Sequence, residues 1–125
     1  MDLKNLRFAE SHEWIAPDGT VGISDHAQKE ITDAVFVELP KAGRVVAGKE
    51  SCAVVESVKA AFDIYAPVAG AIAAVNGAVV KNPAALNQSP YETGWLFKIA
   101  MTNAADRDKL MTHEQYQEFV KIHKH

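Results

Sequence analysis

One cysteine in 125 residues, Cys52, leaves the chain without an internal disulfide, so its stability must come from burial rather than cross-links. A reducing compartment is the setting that follows. There is no excess of positive charge either. Thirteen basic against sixteen acidic side chains give a formal charge of −3, the wrong sign for a surface that neutralises many phosphates. The apolar runs are short and Ala/Val-rich, and Met1-Asp2-Leu3-Lys4 opens without the basic and then apolar stretch of a secretory signal. The chain is therefore expected to be cytoplasmic, with neither nucleic acid nor a membrane as partner. Its length fits one domain over residues 1–125, in which roughly two-thirds of the unfolded surface becomes buried.

Catalytic constellations are missing too. No nucleophile, base and orienting acid assemble from the sequence, and no glycine loop matches a phosphate cradle. His123 and His125 are not joined by a second cluster at metal-ligand spacing, so no metal is expected and the end reads as a basic tail. Cys52 lies in an apolar run and reads as a buried, inert thiol.

What is present reads mainly as strands. Short Val- and Ile-rich runs alternate with Gly, Pro and Asn, placing strands at 35–39, 52–58, 62–66, 71–75 and 95–100, with others at 8–15 and 20–23. Pro17-Asp18-Gly19 supplies a hairpin turn. Helices are few. Thr112 and Gln115 match a capping box, and Met111 with Tyr116 a hydrophobic staple, giving a carboxyl-terminal helix over 113–122. Another starts at Ser24 or Asp25, runs to about Thr32 and buries Ala27 and Ile31. Asn82-Pro83 and Asn103 with Asp106 mark brief helical turns, and His12 and Trp14 read as strand residues.

The chain also echoes itself. Shifted by 27 residues, Ala34, Pro40, Ala42 and Gly43 fall on Ala61, Pro67, Ala69 and Gly70, while Val35, Val37 and Val45 fall on Phe62, Ile64 and Ile72. If the echo is a true duplication, it implies two similar strand-turn-strand units packed about a pseudo-dyad.

Between the strand ending at Val58 and the next near Ala61 there is room only for a tight turn. Lys59-Ala60 is expected at its centre, with Lys59 projecting into solvent, Ser57 opposite Phe62, Glu56 opposite Asp63 and Val55 opposite Ile64. Opposed carboxylates disfavour a ladder, which points to a use beyond folding, although a solvated hairpin end accounts for the same residues.

The run Glu56-Ser57-Val58-Lys59-Ala60-Ala61, followed by Asp63-Ile64-Tyr65-Ala66-Pro67-Val68 and Gly70, resembles the lipoyl-attachment region of the glycine cleavage system H proteins. The likeness continues through Ser11-His12-Glu13-Trp14, Gly22-Ile23-Ser24 and Phe36-Val37-Glu38-Leu39-Pro40, and beyond it through Asn87-Gln88-Ser89-Pro90-Tyr91 and Gly94-Trp95-Leu96. It implies a mainly β, lipoyl/biotinyl-type flattened β-barrel sandwich of two quasi-equivalent sheets, with short helices in the terminal extensions. It also implies lipoic acid in amide linkage on Lys59. The arm would visit a PLP-dependent glycine decarboxylase, a folate-dependent aminomethyltransferase and dihydrolipoyl dehydrogenase, and the chain itself would be a non-catalytic carrier. Glu56 and Gly70 match the positions read by the lipoylating enzymes, although Glu56 also serves to solvate the hairpin and Gly70 to allow a turn. Asp63 and Phe62 flank the same tip.

A tether is physically apt, because several catalysts cannot surround one fixed residue. Acylation would take the trio Glu56, Lys59 and Asp63 from −1 to −2, favouring basic docking surfaces. A monomer is expected, since the tip must stay free. The sequence departs from the family's pattern at Phe62, where a small polar residue is usual, at Lys41 and Ala71, where acids are common, and at Ile31-Thr32, in place of Leu-Gly. Phe62 is expected to face partners or the arm. These departures leave two alternatives open: a relay that passes lipoate to other proteins, and an unmodified interaction module. A biotin carrier is disfavoured because Val58 and Ala60 stand where those domains have Met.

Overall fold

A computed structural model describes residues 2–123. His125 therefore lies outside the described residues. After a 3-10 turn at Leu3–Asn5 come β1 (Arg7–Phe8), β2 (Glu13–Ile15), β3 (Thr20–Ile23), α1 (Asp25–Ile31), β4 (Ala34–Glu38), β5 (Val45–Val46), β6 (Ser51–Ser57), β7 (Ala61–Tyr65) and β8 (Gly70–Val75). Then follow α2 (Gly77–Lys81), α3 (Ala85–Gln88), β9 (Phe97–Met101), α4 (Ala105–Asp108), β10 (Met111–Thr112) and α5 (His113–Ile122).

The strands form two antiparallel sheets, a seven-stranded one ordered β10-β1-β2-β3-β9-β8-β5 and a three-stranded one ordered β4-β6-β7. The mainly β sandwich stands as expected, but the sheets differ in strand number and stay unclosed. The internal echo is visible in the strands: β4 and β7 are each five residues long, lie 27 residues apart, and flank β6 on its two sides. Their followers β5 and β8 pair with each other in the larger sheet.

Val37, Val55 and Ile64 from the small sheet bury with Ile15, Val21, Ile72, Phe97 and Ile99 from the large one. A second cluster of Leu6, Phe8, Trp14 and Tyr116 packs with Met111 and Phe119 of the carboxyl-terminal segment. Trp14 Nε1 donates to the carbonyls of Ile23 and Pro90 at 3.0 and 3.1 Å. Trp14 sits opposite Gly22, where any Cβ would stand 2.6 Å from the indole.

Both capping signals work as read. Ser24 Oγ accepts from Ala27 N, and Thr112 with Gln115 closes the complete capping box on α5. The run expected as one strand over 8–15 is broken into β1 and β2, because His12 takes a φ of +81° in the intervening turn and so is not a strand residue. The short β5, β10 and α2 carry too few residues for a periodic signal.

Thr32, which ends α1, has φ +64° and ψ −148°, a conformation that suits glycine and crowds a β-branched side chain. Thr32→Gly is expected to stabilise the fold by about 1 kcal/mol after the entropy lost by glycine is deducted, read as a higher midpoint in urea unfolding.

Candidate functional site

Hydrophobic alternation builds the β6–β7 hairpin, and a side chain closes it. Ser57 N donates to Ala60 O at 2.8 Å, so Val58 and Lys59 occupy the two central positions of the turn. The expected centre at Lys59-Ala60 is thus corrected by one residue on each strand: Glu56 lies opposite Ala61, Val55 opposite Phe62, Val54 opposite Asp63 and Ala53 opposite Ile64. The two alignments turn the same residues inward, so the apolar pattern cannot choose between them. Ser57 can. Its Oγ accepts from Lys59 N and Ala60 N, each at 3.2 Å, and lies 3.2 Å from Ala60 O, to which it donates. Val58 N donates to Asp33 O at 3.3 Å, tying the turn to the start of β4.

Every backbone N–H from Ser57 to Ala60 therefore has a partner, although Val58, Lys59 and Ala60 are exposed. Neither central residue takes a positive φ, so the turn is not one of the primed types that suit a two-residue hairpin. The hydroxyl supplies what the turn type does not. The side chain of Lys59, exposed at the tip, joins no ion pair among the described residues.

Asn87 supports the same corner: its Oδ1 accepts from Ala34 N at 3.0 Å while its Nδ2 donates to Thr32 O at 2.6 Å. Ala34 is the residue opposite Ser57.

The other residues singled out from sequence take varied places. Glu56 is exposed on the outer face beside the turn. Asp63 is exposed on the same face, one rung farther from the tip and diagonal to Glu56 rather than opposed, and its Oδ1 accepts from Ser51 Oγ at 3.2 Å. Phe62, expected to face partners, turns inward opposite buried Val55 and packs against the main core. It lies on the inward side of the strand's alternation. Gly70 is buried in β8 rather than in a turn, where a Cβ would stand 2.3 Å from Ala100 O and 2.5 Å from Ile99 Cγ2. Cys52 is buried, and burial pushes its thiol up to about 11.

Sequence reasoning did not single out Glu13. The residue is 1% exposed, and its carboxyl group accepts from Ser11 Oγ and from Tyr65 N at 3.1 Å, so joining β2 of the large sheet to β7 of the small one. Burial is the main cause that raises its pKa to about 7, against the opposing pull of these hydrogen bonds. Both donors also line a cleft of about 630 Å³ with Phe8, Pro67, Leu110 and Met111. Pairing of β1 with β10 brings the two ends of the chain to that cleft. Among the described residues, no group of three or more His, Cys, Asp or Glu side chains is placed to hold a metal ion.

Two outcomes follow from this geometry. Ser57→Ala should free the amides of Lys59 and Ala60, speeding their hydrogen exchange about fivefold or more, while Ser57→Thr retains protection. For Glu13, the folded pKa lies above the unfolded value, so its contribution to stability is full below about pH 4.5 and is lost as pH rises through about 7. Denaturant titrations of the wild type should show a decline across that window, up to about 3 kcal/mol from this group, and Glu13→Gln should flatten it.

Comparison with known proteins agrees with the resemblance noted from sequence. The family model of the glycine cleavage H-protein matches residues 6–123. A glycine cleavage system H protein of Deinococcus radiodurans is 57% identical over 100 residues, covering 80% of this chain and 83% of that protein. One from Thermus thermophilus is 51% identical over 122 residues, covering 94% and 95%. The crystal structure of a glycine cleavage system H protein from Mycobacterium marinum superimposes with a TM-score of 0.83 at 36% identity, covering 95% of this chain and 96% of that one. With the matching sandwich and the exposed lysine on its clamped hairpin, these likenesses establish that the chain belongs to the glycine cleavage H-protein family.

Proposed function

We propose that Lys59 carries lipoic acid in amide linkage and that the resulting arm moves the aminomethyl group of glycine between separate enzymes. The family is the lipoyl carrier of the glycine cleavage system and is not itself a catalyst. The observation that carries the assignment to Lys59 is the tip itself, an exposed amine on a turn whose backbone donors are all engaged. A stiff base offers a modifying enzyme one reproducible shape, and a long side chain supplies the mobility.

Bound lipoate would supply a dithiolane that accepts the aminomethyl group and electrons. The chain's own part is to hold the amine clear of the fold. It presents Glu56 beside the turn that bears that amine for the lipoylating enzyme to read, with Asp63 one rung away. Gly70 acts from within the scaffold, since its lack of a side chain lets β8 and β9 approach closely in the large sheet. The partners on this reading are the PLP-dependent decarboxylase, the folate-dependent aminomethyltransferase and dihydrolipoyl dehydrogenase.

Expression with a lipoate source followed by intact and peptide mass spectrometry should place a single lipoyl adduct on Lys59. Lys59→Arg should remove the adduct and abolish glycine cleavage in a reconstituted system. Glycine cleavage at wild-type rate by Lys59→Arg would sink the assignment.

A further inference from the structure

Strand alternation and the corrected register place six side chains on the outer face of the small sheet. Nearest the tip runs the row Phe36, Glu56, Ala61; behind it runs Glu38, Val54, Asp63. Carboxylates and apolar groups thus alternate in both directions. None of the three carboxylates joins an ion pair among the described residues.

Phe36 is 48% exposed and is the one aromatic among the large exposed hydrophobic residues of the described chain. A register shift between Ala34 and Phe36 puts Val35, also exposed, beside it, and Val58 on the turn is 72% exposed. An aromatic on an edge strand is an aggregation liability that folding alone does not require, because the core lies on the other face. Burial of that ring by a partner would offset the liability.

The choice of partner follows from reach. A free lysine amine stands only one side chain above the turn, so an enzyme acting on it must close over the adjoining face. Glu56, in the row with Phe36, is three residues from Lys59, on the order of 10 Å along the strand. Once the acyl chain is attached, its sulfurs extend well beyond the tip, and an enzyme acting on them need not touch this face. The acid-apolar pattern complements a contact surface with an apolar centre and basic rim.

We propose that Phe36, with Val35 and Val58, is the apolar centre of the docking surface for the enzyme that acylates Lys59, and that Glu38 and Glu56 form its acidic rim. The inference rests on the carrier reading above. In the step it serves, the Lys59 amine, after loss of the ammonium proton to a base, attacks the carbonyl carbon of an activated acyl donor. The C–N bond forms as the bond from that carbon to the leaving group breaks, and the second nitrogen proton departs with the leaving group or to solvent. Nothing is oxidised or reduced.

The test uses the full unmodified chain with a purified lipoate–protein ligase, ATP, magnesium and lipoate, following initial rates by intact mass. Phe36→Ala should raise KM for the chain about fivefold or more with kcat within about twofold, and Phe36→Tyr should restore it. Glu38→Lys should raise KM likewise and lessen its dependence on salt, so the test stands even if the phenylalanine variant fails to fold. Val45→Ala and Ile122→Ala, exposed apolar residues elsewhere, should leave KM unchanged. An unchanged KM for folded Phe36→Ala and for Glu38→Lys would overturn the inference. So would unchanged acylation accompanied by slower reaction of the lipoylated variants with the decarboxylase, which would give the face to that enzyme instead. No adduct on the wild-type chain overturns the carrier reading and this inference with it; an adduct on the wild type with unchanged variants overturns this inference alone.

Discussion

The hydroxyl of Ser57 is the contact on which the tip depends. A two-residue hairpin ordinarily uses residues that tolerate positive φ, and glycine or asparagine at the centre would be the cheapest solution. Here the centre is Val58-Lys59, and neither residue adopts such a φ. Ser57 Oγ accepts from the two amides that follow the first central residue, while Asp33 O engages Val58 N. That set of bonds lets a lysine stand where turn chemistry would otherwise place glycine. The same bonds separate two properties that usually travel together at a loop tip, an ordered backbone and a mobile side chain.

Much of this fold was legible in local signals. The helix over 113–122 announced itself through Thr112 and Gln115, and the strand at Thr20–Ile23 through its bounding turn and cap. The 27-residue echo correctly matched β4 with β7. The hairpin register was not legible, for a specific reason: moving the turn back by one residue on each strand leaves Val55, Phe62 and Ile64 inward and Glu56 and Asp63 outward. Period-two reasoning detects a slip of one residue but is blind to this one. The serine signal was present in the sequence, in the capacity of a hydroxyl to accept from nearby amides.

The site divides in the same way. Lys59 stood out because a motif surrounds it. Glu13 did not, since what makes it unusual is the amide of Tyr65, 52 residues away, together with burial between sheets that no local pattern reports. β2 itself is buried throughout, Glu13 included. Phe62 shows the converse error. Proximity to the lysine in sequence suggested a partner-facing residue, whereas parity along β7 assigns it to the core side.

The exposed carboxylates then raise a question of release. If acidic side chains draw a basic enzyme to an ammonium-bearing tip, removing that positive charge by acylation makes the face more negative and holds the product more tightly. Magnitudes decide how much this matters. At about 10 Å in water, one unit charge acting on another contributes about 0.4 kcal/mol, and at physiological ionic strength the screening length of about 8 Å reduces it further. That is less than a twofold change in affinity. Glu38 and Glu56 lie in solvent, where this weak coupling holds; were either as buried as Glu13, the same change of charge would be felt several times more strongly. Exposure of the rim therefore lets one surface attract an enzyme before acylation without trapping it afterwards, which a carrier that must leave each partner requires.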